Sequence, residues 1–367
     1  MSTHTSSSSR MLGLDGIRAL AVIGVVWHHA HPGFGALPMS RNGFLGVDAF
    51  FVLSGFLITV LLLREQAAHG SISLRQFYVR RALRIFPLYY AVLALLALYF
   101  LTVKQSSQGQ AFLQALPYHL TFLSNWVPVD SLMAITWSLS SEEQFYLLWP
   151  PLLVWLGVRR ALPLLIGFLL LNQAVNFGWL DAVFAGNGGA LSHLEILQTT
   201  FTPIVLGVLL AFVVASPTGT NWLRERLSAS VTWALAIAVL LLANWPSSMQ
   251  GLPRLLTHLV MVLLLAAIVY NPSHLLVRWL EYKPLAYVGT ISYGVYLLHK
   301  LAQDVAQRLL DRLSIEGPLL LFVLTMAITL VLAACSYRYF ERPFVERRLP
   351  WRPRQPVPLV ARPSASS

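Results

Sequence analysis

The chain has 367 residues, 56% of them hydrophobic and only 11% charged, with a mean hydropathy of +0.64. A soluble domain carries about 25% charged residues, so the composition excludes an ordinary soluble globule and points to an all-α polytopic integral membrane protein. The formal charge of +11 would suit a nucleic-acid binder, but the bases sit at the ends of apolar segments, where membrane topology puts them, and this pattern argues against nucleic acid as a partner.

The first nine residues, MSTHTSSSS, form a polar tail without a basic n-region. The apolar segment after them has no convincing cleavage site and is expected to be a retained helix. Ten apolar stretches follow, at roughly 14–31, 45–63, 84–103, 143–158, 161–176, 195–215, 228–244, 253–270, 284–302 and 317–340. They predict a bundle of about ten transmembrane helices. With the N-terminus inside, 20 of the 26 Lys and Arg residues fall on the inner side, which supports an even count with both termini cytoplasmic. Residues 112–126 are the ambiguous stretch, expected as an outer amphipathic or re-entrant piece; a full crossing there would invert everything after it. Residues 1–13 are expected as a polar tail, 14–344 as the transmembrane domain, and 345–367 as a basic Pro/Arg/Ser-rich inner tail.

Within stretch one, LDGIRALAVIGVVWHHA carries Arg18 and His29. Ionisable groups in hydrocarbon are costly and usually line a reaction site or a water-filled path. Eleven residues correspond to about 1100° of helix, within about 20° of three turns, and to a rise of about 16 Å, so Arg18 and His29 share one face. His28 lies about 100° away and does not share it. A histidine there suits a general base for a hydroxyl nucleophile; the plainer alternative is a histidine packed in a helix interface and an arginine reaching the headgroups.

Stretch two, GVDAFFVLSGFLIT, carries Asp48 and Ser54. Asp48 is expected near its outer end, where it would orient His29 or simply favour a helix N-terminus. Ser54 either supports the site or bonds its own helix backbone. The inner loop YVRRALRIFPLYY carries Arg81 and Arg84, three apart on one face and suited to the phosphates of coenzyme A. In TWSLSSEEQFYLLWP, Glu142 and Glu143 are expected at the outer end of stretch four, as acceptor or proton-transfer groups, while Ser140 with Glu143 also reads as a capping box. His299, in ISYGVYLLH, and Glu341, in YFERPF, are expected in supporting roles, with Glu341 paired to Arg342 or facing the arginines of the second inner loop. Cys335, the only cysteine, excludes an intrachain disulfide and is expected to be packing. No metal site is expected, because the histidines are scattered.

In order, LDGIRALAV, GFLGVDAFFVLSGFLIT, RRALRIFPLYY, TWSLSSEEQFYLLWP, ISYGVYLLH and YFERPF resemble the signature segments of the acyltransferase-3 family, from about Leu14 to Phe344. These are bacterial membrane acyltransferases, often O-acetyltransferases of surface polysaccharides. The resemblance implies a ten-helix bundle that moves an acyl group, usually acetyl, from cytoplasmic acetyl-CoA to a hydroxyl of a glycan, glycolipid or similar acceptor at the outer face. It carries the arginine–histidine pattern onto Arg18 and His29 and the paired-arginine pattern onto Arg81 and Arg84. It makes Asp48, Glu143 and Glu341 essential positions, with His29 as base or transient acyl carrier. His28 stands where the family often has Tyr, and Ser141 where it often has Val. The absence of a hydrolase-like segment after stretch ten resembles the stand-alone members. Charges at mid-depth would equally serve a transporter or flippase, which would move cargo without turning over coenzyme A.

Overall fold

The computed structural model describes residues 11–30, 41–103, 106–126, 132–180, 201–246 and 249–346. Among them the chain is helical, without strands: α1 Leu14–Ala30, α2 Leu45–His69, α3 Leu74–Thr102, α4 Ser107–Leu120, α5 Trp137–Asn176, α6 Phe201–Ala215, α7 Pro217–Arg226, α8 Ala229–Ala243, α9 Leu252–Tyr270, α10 Leu275–Leu280, α11 Lys283–Thr290, α12 Ser292–Leu313, α13 Pro318–Ser336 and α14 Arg342–Glu346. The described parts of the apolar stretches fall on helices, but 143–158 and 161–176 share α5, and 284–302 is divided between α11 and α12. Five helices are long and apolar enough to span a bilayer, and six if the pair α6 and α7, bent by 102°, counts as one broken span. The polar tail, residues 195–200 and the tail from 347 onward lie outside the described residues.

Local sequence sets the helix ends. Ser73 caps α3, accepting from the Gln76 amide at 3.4 Å, and Ser106 caps α4, accepting from the Gly109 amide at 3.1 Å. Gly70 ends α2 in the left-handed conformation at φ 72°. Because α3 starts at Leu74, Arg80, Arg81 and Arg84 lie on its first turns and not in a loop. Within α5, Gly157 is non-helical at φ 65° and ψ 172°. The break separates the two stretches expected at 143–158 and 161–176.

The ambiguous segment forms α4, and its contacts place it against α3 and α5. Phe112 packs on Phe100 near the end of α3, at 5.6 Å between ring centroids. One helix length on, the Tyr89 and Tyr90 hydroxyls of α3 donate to the His119 and Leu120 carbonyls, at 2.9 and 3.1 Å. So α4 runs back alongside α3 to about its middle. There Ser124 meets Ser140 at 2.8 Å and Gln144 Nε2 donates to the Phe122 carbonyl at 2.7 Å. The chain then continues as α5, whose Leu147 carbonyl accepts from the Tyr78 hydroxyl near the start of α3. The segment thus packs back along α3, and α4 and α5 are both tied to that helix.

The core is built from α1, α2, α3 and α12, around fully buried Val22, Phe51, Tyr89, Val295 and Leu297. Helices α2 and α6 cross backbone to backbone: a Cβ on Gly55 would meet the Ile204 carbonyl, and one on Gly207 the Val52 carbonyl. Small residues at a crossing allow this approach where lipid supplies no hydrophobic drive.

Candidate active site

Five helices contribute side chains to a cavity of about 230 Å³: Arg18 from α1, Ser54 from α2, Arg81 and Arg84 from α3, Glu142 and Tyr146 from α5, and Tyr293 and Tyr296 from α12. Arg18 donates to Asp15 Oδ1 at 2.9 Å, one turn earlier. The Arg81 guanidinium lies over the Tyr146 ring, 4.9 Å from its centroid. Neither Arg81 nor Arg84 has a hydrogen bond or ion pair with any described residue. The three guanidiniums are close enough to act on one another electrostatically. Arg18 has Asp15, but two guanidiniums that face a cavity without an ion pair of their own favour an anion there.

Glu142 faces this cavity and not the outer surface. Helix α5 begins at Trp137, after a short 3₁₀ turn, so Glu142 lies about 8 Å along the helix from its start. Ser54 Oγ donates to Glu142 Oε1 at 2.6 Å, and the Tyr146 hydroxyl lies 2.9 Å from Ser54 Oγ and 3.3 Å from Glu142 Oε2. Ser54 therefore bonds across helices, and not to its own backbone. The capping-box reading fails for the same reason: Ser140 is a full turn inside α5, and its hydroxyl meets Ser124. Glu143, expected to be the more important carboxylate, does not line the cavity, although it lies within electrostatic range of Arg81.

One face of α12 leads from the cavity to the histidines. Tyr296 lines the cavity, its hydroxyl 2.6 Å from Ser138 Oγ. Its carbonyl accepts from His299 Nδ1 at 2.6 Å. His299 Nε2 lies 3.3 Å from His29 Nδ1, and His29 Nδ1 lies 2.9 Å from the Val25 carbonyl. Carbonyls only accept, so both rings are assigned their proton on Nδ1. His299 Nε2 then accepts from His29, and His29 Nε2 keeps a free lone pair with no partner among the described residues. His299 is fully buried, 0% exposed, and belongs to this relay and not to the outer surface. His28 points elsewhere, with its ring against Phe44 at 5.7 Å.

Asp48 does not orient His29. It is 1% exposed and is held by Arg254 Nη2 at 2.9 Å and His258 Nε2 at 3.0 Å, both from α9. Arg254 also stacks on Phe44 at 4.9 Å. Which helix faces the first turn of α2 is a tertiary fact that spacing along the chain does not carry. Arg254 and His258 were nevertheless readable as a pair, since they stand four apart in the apolar run PRLLTHLVMVLL. Glu341 does not pair with Arg342, which bonds Glu346 at 2.6 Å. It accepts from Ser336 Oγ at 2.8 Å, with Arg84 in electrostatic range, so it backs the arginine cavity.

A multi-helix membrane bundle with an anion-seeking cavity and a histidine relay fits the chemistry of acyl transfer from a phosphorylated carrier. The chain belongs to the acyltransferase-3 family, whose acyltransferase-domain profile matches residues 11–338. It is 28% identical to the peptidoglycan O-acetyltransferase OatA of Listeria monocytogenes, over 90% of this chain and 55% of that protein. It is 31% identical to "Putative peptidoglycan O-acetyltransferase YrhL" of Bacillus subtilis, over 93% of this chain and 56% of that one. The chain thus spans little more than half the length of these curated relatives. No solved structure matches it.

Proposed function

We propose that the protein is a membrane O-acetyltransferase that takes acetyl from acetyl-CoA on the cytoplasmic side and delivers it to a hydroxyl of a glycan or glycolipid on the far side of the bacterial inner membrane. The observation that carries this reading is the pair Arg81 and Arg84, which face a cavity with Arg18 and have no partner of their own. The 3′-phosphate and diphosphate of coenzyme A are the anions such a cavity suits, through bidentate charge-assisted bonds. The rise of about 16 Å from Arg18 to His29 is spanned by the extended arm of the donor.

At the far end, His29 Nε2 takes the proton of the acceptor hydroxyl as its oxygen bonds to the thioester carbonyl carbon. The carbon–sulfur bond breaks, and the thiolate recovers a proton. The same nitrogen would carry the acetyl group in a two-step route. His299 holds the His29 ring in the tautomer this requires.

In this reading the chain crosses ten times, with α4 and the first half of α5 sharing one pass and α11 and α12 another. Both termini are cytoplasmic. With Cys335 replaced by serine, a single cysteine at Gly186 should react with an impermeant thiol reagent in intact cells, and one at Ser7 or Ser364 should not. Deleting the gene should remove the O-acetyl signals of the purified surface glycan in NMR spectra. Unchanged spectra in the deletion strain would overturn the proposal, and cargo uptake without coenzyme A release would favour a transporter.

A further inference from the structure

We propose that the cavity between α4 and α12 is the acceptor subsite, and that it takes a neutral saccharide. The proposal rests on the acetyltransferase reading above for its place in the reaction. The cavity has a volume of about 660 Å³ and is lined by Ser107 and Gln108 of α4 and by Lys300, Gln303, Asp304 and Gln307 of α12. That volume falls within the range of ligand pockets, about 300–1,000 Å³.

Its chemistry differs in kind from that of the arginine cavity. No arginine lines it. Its two charged groups are already engaged: Lys300 Nζ donates to Gln303 Oε1 at 2.8 Å, and Asp304 accepts from Arg308 at 2.7 Å. Gln303 is bonded at both its oxygen and its nitrogen, and Gln307 Nε2 donates to Asp311 at 2.7 Å, which leaves the Gln108 carboxamide, the Gln307 oxygen and the Ser107 hydroxyl. Together these groups donate and accept, which is the pairing that sugar hydroxyls present. Lining by one lysine and one aspartate gives no net charge with which to hold a phosphate or a polyanion.

The position is equally specific. Residues 300, 303, 304 and 307 share a helical face, and that face continues down α12 through Tyr296 and His299. Gln303 Nε2 donates to the His29 carbonyl at 2.7 Å. The cavity therefore adjoins the catalytic histidine from the side opposite the arginines. A saccharide seated there approaches His29 from one end while the donor approaches from the other.

The test uses the full chain in lipid nanodiscs, with chitotetraose as the probe and calorimetry as the readout. Gln303→Ala would also disturb His29, so the variants are Gln307→Ala on α12 and Gln108→Ala on α4. Each removes hydrogen bonds and should weaken chitotetraose binding about tenfold, with affinity for acetyl-CoA unchanged. No binding by the wild-type protein, or wild-type affinity in both variants, would overturn the assignment. Binding that depends on these residues, without any acetyl transfer from acetyl-CoA, keeps the subsite and removes the acetyltransferase reading. Transfer that is indifferent to both substitutions does the reverse.

Discussion

Two clusters of buried charge lie in the same bundle and are built on opposite plans. Around Asp48, the Arg254 guanidinium and His258 Nε2 both meet the carboxylate, with exposures of 1%, 5% and 1% for Asp48, Arg254 and His258, although His258 Nδ1 is buried without a partner among the described residues. Arg81 and Arg84 instead face a cavity and form no ion pair with any described residue. At the end of the α12 face, His29 likewise keeps a free nitrogen. The first cluster ties α2 to α9; the second leaves its valences for a ligand. Counting partners, and not counting charges, separates a structural site from a reactive one.

Substitutions should break this contrast in graded ways. The largest effect is expected at His29. Loss of a general base costs about 10²- to 10⁴-fold in rate, so His29→Ala should abolish transfer in a single-turnover assay while melting near wild type. His28→Ala should be tolerated, because its ring packs on Phe44. A dead His28→Ala with an active His29→Ala would reverse the assignment of the base.

Asp48→Ala comes next, and its cost should be in stability. Removing one member of a buried ion pair strands the others and costs about 3–5 kcal/mol. Thermal unfolding in detergent should reveal the loss, whereas Arg81→Ala, which breaks no ion pair, should unfold near the wild-type temperature. Equal destabilisation by the two would erase the distinction between the clusters.

Arg81→Ala and Arg84→Ala should instead weaken acetyl-CoA binding. Each charge-assisted contact is worth about 1.5–3 kcal/mol, roughly ten- to a hundredfold in affinity. Lysine should rescue only partly, for want of the planar fork. The smallest effect is expected for Ser54→Ala, which leaves the Glu142 carboxylate with the Tyr146 hydroxyl alone. A loss of about 1 kcal/mol in stability, with donor affinity changed less than in the arginine variants, would place Ser54 as support.

Helix positions were legible because apolar stretches and Ser caps are local features, and the face shared by Arg18 and His29 follows from helical period alone. Partners were less legible. Nothing in GVDAFFVLSG says that Asp48 will meet α9, or that Ser54 will meet Glu142 eighty-eight residues away. Glu142 and Glu143 are adjacent, and which one enters the cavity depends on where α5 begins. The 3₁₀ turn at Ala134–Thr136 moves that start upstream of the first strongly apolar residue of the expected span. His299 read as interfacial because the ring it meets, His29 of α1, is distant in sequence.

The half-depth course of α4 has a bearing on biogenesis. At 14 residues, α4 is shorter than the roughly 20 a stable crossing requires. Its far end and the turn after it expose carbonyls that lipid cannot solvate. Those carbonyls are met by Tyr89 and Tyr90 of α3 and by Gln144 of α5. Two of these partners precede α4 in the chain and the third follows it, so the set is complete only with α5. In the proposed topology, α4 completes its docking only when α5 stands beside α3.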